Sequence, residues 1–309
     1  MRRAKQAFTF IELIFVIVIM AIIAKFGMEF LAQAYRNYLY QHIDAKLHEQ
    51  SAAAVEYIAS KLQYRIKDSV IIRKGSDFKA LEGEDSSTDY DVLEWIAYDI
   101  EGFRGESDAK PLWSGLIDKE YAHQTTPPDI YSPGTDTSKI DKLLKALSPR
   151  DKGVDDTAIY IMSSDSDVKV DYGWDGAIND QTYALHPIKH DTNVSKFVSI
   201  WDDKDFTLLN SELKDARYKL CQTAYAIEFD TSDPDNKKLI LHYDYRPWMG
   251  EKYDDENTTE AVIMEHVSTF RKRQSFGVIK IQVCTKSSFV KRANTDEEQY
   301  SVCKEKTIY

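Results

Sequence analysis

Glycine and proline are missing over a long stretch of this chain. No glycine lies between Gly27 and Gly75, and no proline precedes Pro111. That interval therefore lacks the two residues that most readily end a helix. Acidic residues are absent before Glu12, whereas Arg2, Arg3 and Lys5 stand in the same short stretch. Basic charge is in deficit overall, with 40 Lys and Arg against 51 Asp and Glu and a formal net charge of −11. This excludes a protein that holds nucleic acid by general electrostatic attraction, which needs a basic surface. No His-Glu-x-x-His, Gly-x-Ser-x-Gly or phosphate-binding glycine loop occurs. With no local catalytic motif to carry chemistry, the chain reads as a non-enzyme. Cysteine is scarce too: Cys221, Cys284 and Cys303 are an odd set, so at least one stays outside any intramolecular pair.

What the chain does have is one long apolar run. From Phe8 to Ala24 the only polar side chains are Thr9 and Glu12. These seventeen residues give roughly 25 Å of helix. Phe26, Met28, Phe30 and Leu31 extend the apolar surface, and Lys25 can snorkel. A carboxylate inside a bilayer costs about 2 to 4 kcal/mol even on lenient scales and marks function. Glu12 therefore needs a partner. The basic residues before the run predict a cytoplasmic start, with the bulk of the chain outside the inner membrane in the periplasm.

Met-Arg-Arg-Ala-Lys-Gln-Ala followed by Phe-Thr-Phe-Ile-Glu resembles the N-terminus of the type IV pilin superfamily, the class III or N-methylation signal. The resemblance implies a leader, residues 1–7, removed by prepilin peptidase after Ala7. Phe8 would be the methylated first residue of the mature chain. Glu12 would be its fifth residue and would pair with the terminal amine of a neighbouring pilin or pseudopilin subunit. A buried carboxylate is tolerable when an ammonium sits within hydrogen-bonding reach. Ala7 departs from the usual Gly, and Phe10 from a common Leu. Two other readings of the segment are a secretory signal peptide cut after Ala32-Gln33-Ala34, and a plain signal anchor carrying a periplasmic enzyme or binding protein.

Apolar and aromatic side chains recur beyond the membrane run at Leu31, Tyr35, Tyr38, Leu39, Ile43, Leu47, Ala54, Ile58, Leu62 and Ile66. Their spacing predicts one amphipathic helix to about Lys67, with a membrane half over 8–28 and an amphipathic half over 29–67. From residue 68 to 309 the pattern changes to short β-branched and aromatic runs, at 70–73, 92–100, 158–162, 197–201, 224–229, 239–245, 262–270 and 278–284. Asp230–Asn236 reads as a hairpin link, and a short helix is expected at Lys139–Leu147, capped by Thr137 or Ser138 and closed by Pro149. The expected fold is α+β: a long N-terminal helix packed on an antiparallel β-sheet with large loop insertions.

An extracytoplasmic part this large resembles the larger minor pilins and minor pseudopilins of type IV pilus and type II secretion systems. Val262–Arg271 followed by Gly277–Cys284 is similar to a late segment of those subunits. The implied partners are other subunits through the helix, and secreted cargo or the secretion channel through the domain. A hairpin would bring Cys284 and Cys303 face to face, and a disulfide there would add roughly 3 kcal/mol in the loop-entropy model. The pilin resemblance favours that bridge; three buried thiols is the alternative. Asp165, Asp167, Asp171 and Asp175 form the densest carboxylate cluster, a candidate calcium site set against the reading of a solvated acidic loop. Asp230, Asp233 and Asp235 form a second. His186 and His190 are four apart, but Pro187 between them rules out the helical geometry of a metal pair.

Overall fold

The computed structural model describes residues 9–84, 89–105, 110–118, 129–162, 166–201, 206, 217–286 and 301–309. Helix α1 runs from Phe10 to Leu62, about five residues short of the expected end at Lys67. Tertiary pairing stops it. The Ile66 N–H donates to the Ile96 carbonyl at 2.8 Å, and the Tyr98 N–H donates to the Tyr64 carbonyl at 3.1 Å. Arg65 makes an isolated bridge to Ala97, and its guanidinium takes the Leu62 carbonyl at 2.9 Å. The chain thus leaves the helix because a strand edge offers its backbone a better partner.

The chain divides into two compact units, Met1–Glu49 and Gln50–Tyr309. This differs from the expected boundary at residue 67, since the last turns of α1 belong to the second unit. The first unit contributes the earlier part of α1. Among the described residues the second contains thirteen strands and two further α-helices, α2 (Ile100–Arg104) and α3 (Thr137–Leu147).

The strands are β1 (Ile71–Lys74), β2 (Asp77–Ala80), β3 (Val92–Tyr98), β4 (Ile130–Tyr131), β5 (Ala158–Ile161), β6 (Leu185–His190), β7 (Lys196–Ser199), β8 (Tyr218–Asp230), β9 (Lys238–Tyr245), β10 (Thr259–Met264), β11 (Val267–Ser275), β12 (Val278–Lys286) and β13 (Ser301–Ile308). They form two antiparallel sheets rather than the single one expected. The large sheet is ordered β2-β1-β3-β8-β5-β6-β7-β4, with β9 also on β8 and β10 on β9; the small one is β11-β12-β13. The large sheet forks at β8. One edge of β8 pairs with β3, while the other pairs with β5 over Tyr218–Cys221 and with β9 over Ala224–Asp230.

One expected strand is two. The run 262–270 breaks at Glu265–His266, where His266 has φ of 56°, a left-handed conformation that histidine adopts more readily than most residues with a side chain. The break carries the chain from β10 in one sheet to β11 in the other. The hairpin at Asp230–Asn236 forms, with Asp230 opposite Lys238. Helix α3 is capped by Asp136, which accepts from the Lys139 N–H at 3.2 Å, and not by Thr137 or Ser138. Strands β2, β4, β6 and β13 fall outside the predicted runs; each is short or is interrupted by polar residues or proline.

Strand β3 explains the layering. Leu93, Trp95 and Ala97 point into a core with Ala54, Val55, Ile58, Ala59 and Leu62 of α1 and with Phe270, Ile279, Ile281 and Val283 of the small sheet. Val92 and Ile96 point the other way, onto Tyr172, Trp174, Tyr245 and Trp248. A strand buried on both faces reads as a continuous apolar run rather than an alternation. Its one charge, Glu94, is paired with Arg73 and accepts from the Tyr245 hydroxyl at 3.0 Å. A third core gathers Trp113, Ile140, Leu144, Phe197 and Tyr218 around α3.

Candidate functional site: the N-terminal helix and its glutamate

Thr9 stands just before the first residue of α1, and Glu12 is the third residue inside it. The Thr9 backbone N–H donates to Glu12 Oε2 at 2.9 Å, and the Thr9 hydroxyl donates to the same oxygen at 2.8 Å. Thr-x-x-Glu is the sequence of a capping box, in which the glutamate satisfies an N–H that the helix cannot. The negative charge also faces the positive end of the helix dipole. Glu12 thus has an intramolecular partner, and Thr9 is a functional neighbour that the charge argument passed over, although the Thr-x-x-Glu spacing contains it. The other oxygen, Oε1, accepts no hydrogen bond among the described residues.

From Phe10 to Leu31 the large apolar side chains of α1 are exposed, Phe10 by 78% and Leu31 by 67%. The helix is long and apolar enough to cross a membrane. Lys25 and Glu29 lie 4.0 Å apart, both exposed, one turn apart along the helix. The expected amphipathic stripe departs from the pattern in one respect. Leu31, Tyr35 and Tyr38 are exposed, and continuous burial of the stripe starts only in the last turns, with Ala54, Val55, Ile58, Ala59 and Leu62. Ile66, at the end of the stripe, is buried in a different core. Ala7 and Phe8 lie outside the described residues.

The family model described as the prokaryotic N-terminal methylation motif matches residues 2–24. The chain carries a pilin-type methylation signal. Ala7, Phe8, Thr9 and Glu12 all fall inside the matched residues, and the apolar helix that follows fits an inner-membrane anchor. No curated protein and no solved structure matches the chain.

The other sequence candidates fall elsewhere. A disulfide joins Cys284 and Cys303, directly opposite each other on β12 and β13 with Cα atoms 4.0 Å apart. Cys221 is a buried free thiol on β8, pushed up by loss of solvent and so poorly ionised. Asp165 lies outside the described residues. Asp167 and Asp171 meet, but in a local turn: Asp171 accepts from the Asp167 N–H at 2.6 Å, and Asp167 accepts from the Lys169 N–H at 2.9 Å. Asp175 is exposed and bonds neither. Asp230 and Asp233 likewise accept from Ser232 N–H at 2.9 Å and Asp235 N–H at 3.0 Å, closing the β8–β9 link. Among the described residues no group of three or more His, Cys, Asp or Glu side chains is placed to hold a metal ion. These carboxylates do the work of turns. His186 and His190 sit on strand β6. His186 is buried against Gln181, and desolvation pushes it down to about 4.

Proposed function

We propose that the chain is a minor pilin or minor pseudopilin, a subunit present in few copies in a type IV pilus or a type II secretion pseudopilus. Prepilin peptidase cuts after Ala7, Phe8 is methylated, and the apolar part of α1 enters the filament. There Glu12 exchanges its Thr9 partners for the terminal amine of a neighbouring subunit, an ion pair suited to a low-dielectric core. The β-rich part stands outside the membrane in the periplasm and primes or caps the assembly, with secreted cargo or the secretion channel as its contacts. Its role is assembly rather than catalysis. The observation that carries this reading is the methylation-motif match over residues 2–24, with Glu12 at the start of an exposed apolar helix.

The test uses the full chain in membranes. Sequencing the processed N-terminus should return methyl-Phe8. Tyr35 or an intact Met1 there would overturn the processing. Glu12→Ala should insert in the membrane and fold normally, yet fail to enter the filament; normal incorporation would sink the assigned role of Glu12.

A further inference from the structure

Strands β11 and β12 are joined by a two-residue turn, Phe276-Gly277, between the paired residues Ser275 and Val278. Both turn residues have positive φ, 51° at Phe276 and 73° at Gly277, which is a type I′ turn. Asn, Asp or Gly suits the first position of such a turn, and phenylalanine is among the poor choices. The strain is held in place. Glu82 accepts from the Phe276 N–H at 2.7 Å and from the Gly277 N–H at 3.3 Å, and the buried Arg65 donates to the Gly277 carbonyl at 2.6 Å. For this clamp the phenylalanine ring gains no packing, since Phe276 is 96% exposed, the most of any large apolar residue described. Strained backbone retained with no internal return points to use by something outside the fold.

The sheet behind that ring has a charge of its own. Arg271 lies opposite Gln282, which lies opposite Glu305; Arg273 lies opposite Lys280, which lies opposite Thr307. These two rows share the outer face, where Arg271, Arg273, Lys280 and Glu305 are all exposed. Lys280 and Glu305 pair at 2.9 Å. Among the described residues this face carries Arg271, Arg273 and Lys280 with one carboxylate, Glu305, on a chain whose net charge is −11. The Cys284–Cys303 bridge ties β12 to β13 at the end of the face away from the turn.

We propose that this hairpin is a docking surface for a protein partner. Phe276 enters an apolar pocket on that partner, and an acidic rim beside the pocket meets Arg271. A rigid aromatic anchor on the same hairpin as an exposed arginine is the composition of an interface hot spot. Three cations are too few to hold a nucleic acid at physiological salt. A single apolar ring on an acidic chain is a poor anchor in an anionic bilayer. The proposal concerns a surface remote in sequence from Glu12 and stands independently of the pilin reading.

The test places p-benzoylphenylalanine at position 276 of the full-length chain in the cell that expresses it, with position 103, another exposed phenylalanine, as control. Irradiation should give one protein adduct from 276 and at least tenfold less from 103. Arg271→Glu should cut the 276 adduct at least tenfold. Equal yield at both positions, no adduct, an adduct to lipid, nucleic acid or a second copy of the chain, or indifference to the charge reversal would each overturn the proposal. A second variant guards against misfolding: Phe276→Asn, the residue this turn prefers, should leave the thermal midpoint unchanged or raise it. A lowered midpoint would show that Phe276 serves the fold and not a partner.

Discussion

The two ends of helix α1 are made of similar residues and have opposite surroundings. Between Phe10 and Leu31, isoleucine, valine and phenylalanine are exposed around the helix; between Ala54 and Leu62, alanine, valine, isoleucine and leucine are buried against two sheets. The difference lies in what the rest of the sequence supplies. The later end has β1, β3, β8, β9 and the small sheet to cover one face, so its apolar residues need only a stripe. The earlier end has no such cover in its own unit, and its apolar residues run all the way round, as a bilayer or a bundle of like helices requires. Its carboxylate follows the same logic, capped by Thr9 and aimed at nothing else described.

The contrast can be tested from its largest consequence downward. Glu12→Ala should abolish incorporation into the filament, a loss of tenfold or more, while tryptophan fluorescence and the unfolding midpoint of the chain in detergent stay as in the parent. Ile58→Ala should remove about 3 kcal/mol of stability in a denaturant titration, since Ile58 is fully buried. Ile17→Ala, on the exposed end, should change the same midpoint by less than about 0.5 kcal/mol. If both substitutions cost alike, the two ends are not distinct. Reducing Cys284–Cys303, a closure of 19 residues, should cost roughly 3 kcal/mol or less and leave membrane insertion unaffected.

A pH titration separates the second unit from the first. His186 is held neutral by burial down to about 4, whereas an unfolded histidine protonates near 6.5. Between those values the unfolded chain binds the extra proton, so stability falls as pH drops from 6.5 toward 4. The parent should lose on the order of 2 kcal/mol more than His186→Gln over that range. Equal slopes would remove His186 from the account. The smallest effect tests a cap: Asp136→Ala should cost about 1 kcal/mol, and Ser138→Ala only a few tenths.

What was legible in the sequence was whatever depends on local pattern. The helix, its apolar half and the position of Glu12 follow from spacing and from the missing glycine and proline. Strands β3, β5, β8, β9 and β12 announced themselves as β-branched and aromatic runs. Two features were out of reach because long-range partners decide them. Helix α1 stops at Leu62 because β3 takes the backbone of Tyr64 and Ile66, some thirty residues away. The run 262–270 splits because two sheets compete for it, and no single window shows the second sheet. The aspartates of 167–175 stood open between a calcium site and a solvated acidic loop because composition cannot say whether an oxygen already accepts from a backbone N–H. Thr9 is different: its partner Glu12 is three residues away, so the contact is local and legible in the Thr-x-x-Glu spacing.

The fork at β8 has a consequence for how the molecule comes into being. β8 is the only strand touching β3, β5 and β9 together among those described, and its residues begin at Tyr218. Contacts of such long sequence separation form slowly. Until the ribosome has passed residue 230, β3 lacks the neighbour on its β8 edge, and β5 lacks its seam to the sheet. About three quarters of the chain must therefore be made before its centre can close, whereas the apolar helix is complete from the first sixty residues. The apolar helix is made long before the sheets can close, which leaves a long interval in which a chaperone has work to do.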